Sequence, residues 1–372
     1  MADGLIDQVR AAAGQGRRLR IRGGGTKDWY GEQPAEGDAA TVLDTRGHAG
    51  IVEYDPSELV VTARCGTPLA DLEATLAASG QMLACEPPHF GPGATVGGCV
   101  AAGLSGPRRA TAGSIRDFVL GAKLINGRGQ HLSFGGRVIK NVAGYDVSRL
   151  LAGSLGILGV ITEVSLKVVP APVAETTLRF DGIAQAEAIR RLNHWAGQPL
   201  PLSASAWSGD TLHLRLSGAA AAVRSATTAL GGEVLDAPSA ATFWLALREQ
   251  SAPFFADGAP LWRLSVPSWT PPLLPGGPSQ DAPPDMLVEW GGALRWMRST
   301  LPAAALRAAA RDAGGHATLF RRGSLSDAQA SGIEAAGCFS PLDPALLRIH
   351  QRLKAEFDPA GVFNHGRLYP GL

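Results

Sequence analysis

Three consecutive glycines end the segment RIRGGGTK, Arg20 to Lys27. Glycine loses more chain entropy on folding than any other residue. Such a run is therefore costly unless the backbone must turn with positive φ or come close to another group. A tight turn after an edge strand is one use. The other is chemical: bare N–H groups at Gly23, Gly24 and Gly25, followed by Thr26 and Lys27, suit a phosphate. A second glycine-dense stretch, PPHFGPGATVGGCVAAGLSGPRRATAGS, runs from Pro87 to Ser114 and carries Gly91, Gly93, Gly97, Gly98, Gly103 and Gly106. A short apolar helix beginning after Thr95 would aim its N-terminus, with orphan donors and dipole, at whatever lies in front. Two such loops facing each other could hold a diphosphate. A third, GSLGILGVITE from Gly153 to Glu163, enters a strand whose backbone is also approachable.

Other chemistries find less support. There is no G-x-G-x-x-G between a strand and a helix, and no G-x-x-x-x-G-K-[ST]. G-x-S-x-G and H-E-x-x-H are absent, which removes the common hydrolase and zinc-protease templates. Cys65, Cys85, Cys99 and Cys338 form no C-x-x-C pair, so neither zinc nor an iron–sulfur cluster is expected from local motifs, and the thiols read as reduced. In WSGDTLH, residues 207 to 213, Gly209-Asp210 sits between two alternating runs and reads as a hairpin turn rather than a metal loop. His316, in GGHATLFRR, and Arg321 could serve a carboxylate, although a structural histidine is the plainer reading. Trp290 and Trp296 read as core, Asp146 as a helix N-cap, and Arg116-Asp117 as a surface pair.

The elements that would position these residues follow from pattern. A chain of 372 residues exceeds one ordinary core, so two domains are expected. Short strands are predicted at 19–22, 41–44 and 59–63. A helix then begins with Thr67 as N-cap and Pro68 at N1, buries Leu69, Leu72 and Leu76, and stops at Gly80. Residues 118–126 and 130–134 read as a hairpin, and a further strand leads to Pro170. From 171 the order is strand 174–180, helix 183–196, strands 202–208 and 211–217, helix 219–230 and strand 233–235, the β-α-β-β-α-β order of a ferredoxin-like unit. A second set comprises helix 239–250, strands 261–266, 286–290 and 293–299, helix 302–313 and strand 316–321. The Pro-rich excursion 267–285 between them reads as an exposed linker. The last helix carries Leu346, Leu347, Ile349, Leu353 and Phe357 at helical spacing and ends at Asp358-Pro359. Lys and Arg number 34 against 33 Asp and Glu, a formal net charge of +1, which gives no footprint for nucleic acid or an anionic membrane. No stretch reads as a signal peptide or a transmembrane segment, and a cytoplasmic location is expected.

RGGGTK, GATVGGCVAAGLSGPRR, GSIRDFVLGAKLINGRG, FGGRVIKNVAGYDVSRLLAGSLGILGVITEVSLKVVP and FDPAGVFNHGRL together resemble the vanillyl-alcohol-oxidase type of flavoprotein with its PCMH-type FAD-binding domain. Within that family they are most similar to the FAD-binding E subunits of bacterial glycolate oxidases. The resemblance covers most of 20–170 and the C-terminal segment, and is weaker over 171–340. It implies an α+β fold: an FAD-binding domain of two α+β subdomains over 1–170, a ferredoxin-like antiparallel-sheet cap over 171–340, and a tail, 341–372, returning to the FAD domain. It also implies cofactor contacts. Gly23, Gly24, Gly25, Thr26 and Lys27 match the family's first pyrophosphate loop, and Gly93, Ala94, Thr95, Val96, Gly97 and Gly98 match its second, extended by Ala101 and Gly103. Gly159 and Ile161 match the adenine side, and Asn364 the C-terminal return to the flavin.

Departures qualify what the resemblance implies. Thr26 or Lys27 stands where some relatives attach FAD through a histidine, so the flavin is expected to be noncovalent. Leu155 and His365 replace residues of the related catalytic subunits, and the His-rich metal loop of hydroxy-acid-oxidising cousins has no counterpart, so neither a metal nor a catalytic residue is assigned. Three readings follow. The first is an FAD-carrying subunit of a glycolate oxidase that works with a catalytic flavin subunit and an iron–sulfur subunit. In that reading a small 2-hydroxy acid could be bound by a partner, and the complex could lie peripherally at the inner membrane. The second is a self-sufficient FAD-dependent 2-hydroxy-acid dehydrogenase. The third is a structural subunit without active cofactor, which the intact glycine loops disfavour.

Overall fold

A computed structural model describes residues 2–33, 40–137, 145–256, 258–273, 285–323 and 337–372. By contacts the chain divides into two units: Met1–Ser105 with Gly113–Ala171 and Pro341–Leu372, and Gly106–Ala112 with Pro172–Ser340.

In the first unit, helix α1 (Ala2–Gly14) buries Leu5, Val9 and Ala12, a stripe at helical spacing. The stripe meets Leu19, Leu43, Ile125, Val160, Val362 and Phe363 in one core. Strand β1 (Leu19–Arg22) pairs in parallel with β2 (Thr41–Asp44), Leu19 opposite Thr41. A five-stranded antiparallel sheet runs in the order β3 (Ile51–Asp55), β4 (Val60–Arg64), β8 (Val160–Lys167), β6 (Val119–Ile125), β7 (His131–Gly135). Helix α2 (Leu69–Ala78) buries Leu69, Leu72 and Leu76, and helix α3 (Val96–Ala102) packs against β4 and β8. The short strands β5 (Gln81–Met82) and β9 (Val169–Pro170) pair to close the layer.

Two local readings change here. Thr67 does not cap α2, whose N-cap is Pro68 with no side-chain bond. The Thr67 hydroxyl instead accepts from the Gly50 N–H at 2.9 Å and donates to the Gly50 carbonyl at 3.1 Å. Asp117 is not a partner of Arg116 but closes a capping box on Ser114, accepting from its N–H and its hydroxyl, both at 2.8 Å.

The second unit is built on one eight-stranded antiparallel sheet. Its first half holds β10 (Ala174–Phe180), helix α4 (Gln185–Ala196), β11 (Leu202–Ser208), β12 (Thr211–Gly218), helix α5 (Ala220–Leu230) and β13 (Glu233–Val234). Helix α6 (Ala237–Arg248) leads into β14 (Leu261–Ser265), β15 (Met286–Glu289), β16 (Leu294–Arg298), helix α7 (Ala303–Asp312) and β17 (His316–Arg321). The spatial order β13-β10-β12-β11-β15-β16-β14-β17 is two ferredoxin-like half-sheets joined where β11 pairs antiparallel with β15. In the second half, no helix lies between β14 and β15 among the described residues. The linker expected over 267–285 lies outside the described residues for 274–284. Its described beginning is held, because Ser268 Oγ donates to Asn193 Oδ1 at 2.7 Å and the buried Arg295 donates to the Thr270 carbonyl at 2.8 Å.

Alternation sorts this sheet's faces. Leu212, Leu214 and Leu216 point into a core with Leu192, Val223, Trp262, Leu264, Met297 and Leu306. Their neighbours Thr211, His213, Arg215 and Ser217 fall on the opposite face. There α6 covers part of the sheet: Trp244 Nε1 donates to Thr177 Oγ1 at 2.9 Å, the Arg215 guanidinium lies 4.8 Å from the Trp244 ring, and Phe243 stacks 4.0 Å from His213. The final helix, α8 (Pro344–Phe357), belongs to the first unit. Its apolar spacing does not mark a core face. Leu346 and Ile349 are half exposed, and the residue it buries is Lys354.

His213 gives a test of this packing. Burial, with Arg179 nearby, pushes its pKa down from 6.5 to about 4 despite Asp181. Between those values the unfolded chain holds a proton that the folded one does not, so stability rises with pH there and is lost as pH falls from 6.5 towards 4. Thermal melts across that range should show this loss, and His213→Leu should flatten part of the slope.

Candidate cofactor-binding site

The first unit contains a cleft of about 790 Å³, its solvent-filled mouth included, lined by several segments remote in sequence. From the first glycine loop come Gly23, Gly24, Gly25, Thr26 and Lys27. Thr95, Gly97, Gly98 and Ala101 come from the second loop and α3, and Gly159, Ile161 and Asn364 complete the set. Gly93, Ala94, Val96 and Gly103, also expected here, do not line it. Their positions have packing reasons. Ala94 and Val96 are buried, and Gly103 takes left-handed φ of 68° as the C-cap of α3.

Gly93 supports the cleft from behind. A Cβ on Gly24 would land on the Gly93 carbonyl oxygen, so the two glycine loops meet backbone to backbone. Gly97 is packed likewise against Cys65, at the end of β4. These glycines are therefore required by contact between loops, not only by approach to a ligand.

Donors are divided unevenly between the loops. At the start of α3, Val96 N–H donates to the Thr67 carbonyl at 2.9 Å, Gly97 N–H to the Cys65 carbonyl at 2.8 Å, and Gly98 N–H to Thr95 Oγ1 at 3.2 Å. The expected anion seat at that helix N-terminus is thus already satisfied by protein. Among the described residues, the N–H groups of Gly23, Gly24, Gly25 and Thr26 have no intramolecular acceptor. These line the cleft and can receive an anion.

The pattern reading missed Arg20, Arg22, Asp28, Thr45, Cys65, Leu155, Gly156 and Arg367, all of which line the cleft. Arg20 and Arg22 were legible in principle, since alternation along β1 puts both on one side immediately before the glycines. Asp28 holds both, at 3.4 Å and 2.7 Å. With Lys27 and Arg367 the lining has four cations to one carboxylate, a balance suited to a diphosphate. Lys27 Nζ donates to the His89 carbonyl at 3.1 Å and lies 5.4 Å from the Phe90 ring. Burial pushes the Cys65 thiol up to about 12, so it is a neutral wall.

Asn364 bridges two sides of the cleft. Its Oδ1 accepts from the Ile21 N–H at 2.8 Å and its Nδ2 donates to the Leu155 carbonyl at 2.6 Å. Both residues have positive φ, 41° at Asn364 and 50° at Leu155, a conformation held by these bonds and by Leu155 N–H donating to the Ala101 carbonyl at 2.9 Å.

The second unit's candidates separate. His316 and Arg321 begin and end β17, opposite Ser265 and Leu261 of β14. At ~3.4 Å per residue they stand about 17 Å apart, too far to share one small substrate. Gly209-Asp210 forms the hairpin turn, Gly209 with φ of 65°, and His213 is a strand residue. Trp290 and Trp296 are buried, their indole N–H groups donating to the Gly106 carbonyl at 3.1 Å and to Glu289 Oε2 at 2.7 Å. Among the described residues, no group of three or more His, Cys, Asp or Glu side chains converges to hold a metal. All four cysteines are buried and free.

A fold with two opposed glycine loops, a row of free N–H groups and a basic cleft defines an FAD-linked oxidoreductase, and residues 2–135 match the FAD binding domain family. The chain is 48% identical over 368 residues to the glycolate oxidase subunit GlcE of Escherichia coli, spanning 99% of this chain and 97% of that protein. It belongs to that family of flavoprotein subunits. The glycolate oxidase subunit GlcD of Bacillus subtilis is 34% identical over 157 residues, 42% of this chain and 33% of that one. The mitochondrial D-lactate dehydrogenase [cytochrome] 1 of Saccharomyces cerevisiae is 34% identical over 154 residues, 41% and 26% of the two chains. Among solved structures, alkyldihydroxyacetonephosphate synthase shares the fold at a TM-score of 0.63 and 15% identity, over 96% of this chain and 73% of that one.

The contact between loops predicts the effect of a single methyl group. Gly24→Ala should lower stability by about 2 kcal/mol, as over-packing against backbone does, and weaken FAD uptake with it. Gly47→Ala, where a Cβ meets nothing within 4 Å, should change neither. Melting curves and flavin content of the two variants decide this.

Proposed function

We propose that this chain is the FAD-carrying subunit of a complex that oxidises glycolate or a similar small 2-hydroxy acid, and that it passes electrons to an iron–sulfur partner. The observation that carries the reading is the full-length similarity to the E. coli glycolate oxidase subunit. The first unit would be the FAD domain and the second the cap. The free N–H groups of Gly23 to Thr26 would hold the diphosphate, with Arg20, Arg22 and Lys27 offsetting its charge. Gly97, Gly98 and Ala101 would form a wall without side chains large enough to obstruct it, and Gly159 and Ile161 would border the adenine. With threonine and lysine after the glycines, the cofactor is held without a covalent bond. Bound FAD supplies a two-electron acceptor for the hydrogen on the hydroxyl-bearing carbon.

A hydroxy-acid oxidase must also anchor the carboxylate and remove the hydroxyl proton. The separation of His316 from Arg321 supports leaving those tasks to a partner subunit. No helix among the described residues is long and apolar enough to cross a membrane, so any membrane association would come through the complex.

The purified chain should be yellow, and acid precipitation should leave the flavin in the supernatant; a yellow pellet would count against the noncovalent claim. Prolonged chelation should leave flavin content unchanged. Glycolate or lactate should be oxidised slowly by the isolated chain with an artificial acceptor. Activity should appear when a companion flavin subunit and an iron–sulfur subunit are added. Rapid bleaching of the isolated flavin by glycolate, lost in His316→Ala, would instead establish a self-sufficient enzyme.

A further inference from the structure

The glycine loop is shaped from the other end of the chain. Arg367 Nη2 lies 3.1 Å from the Lys27 carbonyl, 2.9 Å from that of Asp28 and 2.9 Å from that of Tyr30, while the Arg367 carbonyl accepts from the Glu32 N–H at 2.9 Å. One guanidinium thus gathers the carbonyl groups that follow the glycines, and the glycine N–H groups are left to the cleft. The segment bearing Arg367 is itself anchored by a buried pair. Lys354 Nζ donates to Asp358 Oδ2 at 2.7 Å and to the Ile157 and Phe363 carbonyls, both at 2.8 Å. Asp358 also accepts from the Val362 and Phe363 N–H groups at 2.9 and 2.8 Å.

We propose that Arg367 is a positioning residue: tethered through Asn364 and the Lys354–Asp358 pair, it holds residues 27–30 so that Gly23 to Thr26 present their N–H groups to the cofactor's diphosphate. The proposal rests on the reading of the cleft as the FAD site. All three contacts are made by Nη2, whose two N–H donors the carbonyls share; a lysine would keep the charge but place its nitrogen one bond nearer the backbone, short of that position.

The test is Arg367→Met and Arg367→Lys in the full chain, measured without and with FAD. In the cofactor-free Met variant, amide exchange at Asp28, Tyr30 and Glu32 should quicken at least tenfold while the second unit's exchange is unchanged. Its melting temperature should stay within about 4 °C of wild type. The FAD dissociation constant should rise at least tenfold, with Arg367→Lys intermediate in both measurements. Weakened FAD binding with wild-type exchange in the cofactor-free chain would make Arg367 a direct ligand and overturn the positioning role; unchanged FAD affinity would overturn it too. If Arg367→Met fails to fold, the Lys variant carries the same comparison. A wild-type chain that takes up no FAD would sink the cofactor reading instead, and the exchange comparison is read without it.

Discussion

Backbone meets backbone where Gly24 lies against Gly93, and the cleft depends on that contact. A side chain at Gly24 would push the loops apart, whereas a Cβ on Gly93 would stand 3.3 Å from the Gly24 carbonyl oxygen and require only a small shift. Once the loops touch, their donors are no longer equivalent. At the start of α3 the second loop spends the N–H groups of Val96, Gly97 and Gly98 on the carbonyls of Thr67 and Cys65 and on its own threonine hydroxyl, and so is fixed to β4 and the start of α2. The first loop is left with donors pointing at open space. A rigid wall and a receptive one are made from nearly the same composition, and which is which follows from what each loop is tied to.

That closure is maintained over the whole length of the chain. Phe363 forms a single parallel bridge to Leu19 of β1, and Asn364 reaches Ile21 across a sequence separation of 343 residues. The anchor is a buried ion pair, which is weak evidence of stability by itself because desolvation offsets the attraction. Burial does lower the Lys354 pKa, against the raising effect of Asp358. What the pair supplies is geometry: with both carboxylate oxygens and the ammonium committed to named backbone groups, the turn from Asp358 to Asn364 has one arrangement that satisfies them all. Gly127 fits the same logic, since a Cβ there would strike the Asp358 carboxylate.

The sequence was most legible where burial imposes a period. Both ferredoxin-like sets stand out because alternating leucines on β12 and helical stripes on α4 and α7 face one core. Strand β3 was missed because Ile51–Asp55 is an edge strand with no fully buried residue, so no alternation marks it. On α8 the period misled: its leucines lie on a helix whose buried residue is a lysine paired four positions on with Asp358. The glycine loops were legible as two segments that meet at one cleft, yet the reason for each glycine was not, because close approach between segments remote in sequence leaves no mark on local pattern. Arg367 lies within the motif FDPAGVFNHGRL, but nothing in that motif says what its side chain meets. A single arginine acquires its role from three carbonyl groups that only the fold brings together.

Several of the second unit's polar side chains are engaged with one another. Arg109 and Arg263 lie 4.4 and 5.2 Å from the Trp290 ring on its guanidinium-stacking faces, Arg215 on Trp244, and Glu289 accepts from Trp296. Each contact is the kind that stiffens a sheet face, since a cation on an indole is held by both the ring's quadrupole and its area. Holding these groups in place for a second task would require a ligand to displace an existing partner. In the first unit the opposite holds: the N–H groups of Gly23 to Thr26 have no partner to displace among the described residues. The capacity to bind without reorganisation therefore lies in the glycine cleft, and a flavin seat there is built more completely than any substrate seat on β17. This contrast supports the proposal that this subunit carries the cofactor and leaves the acid to a partner.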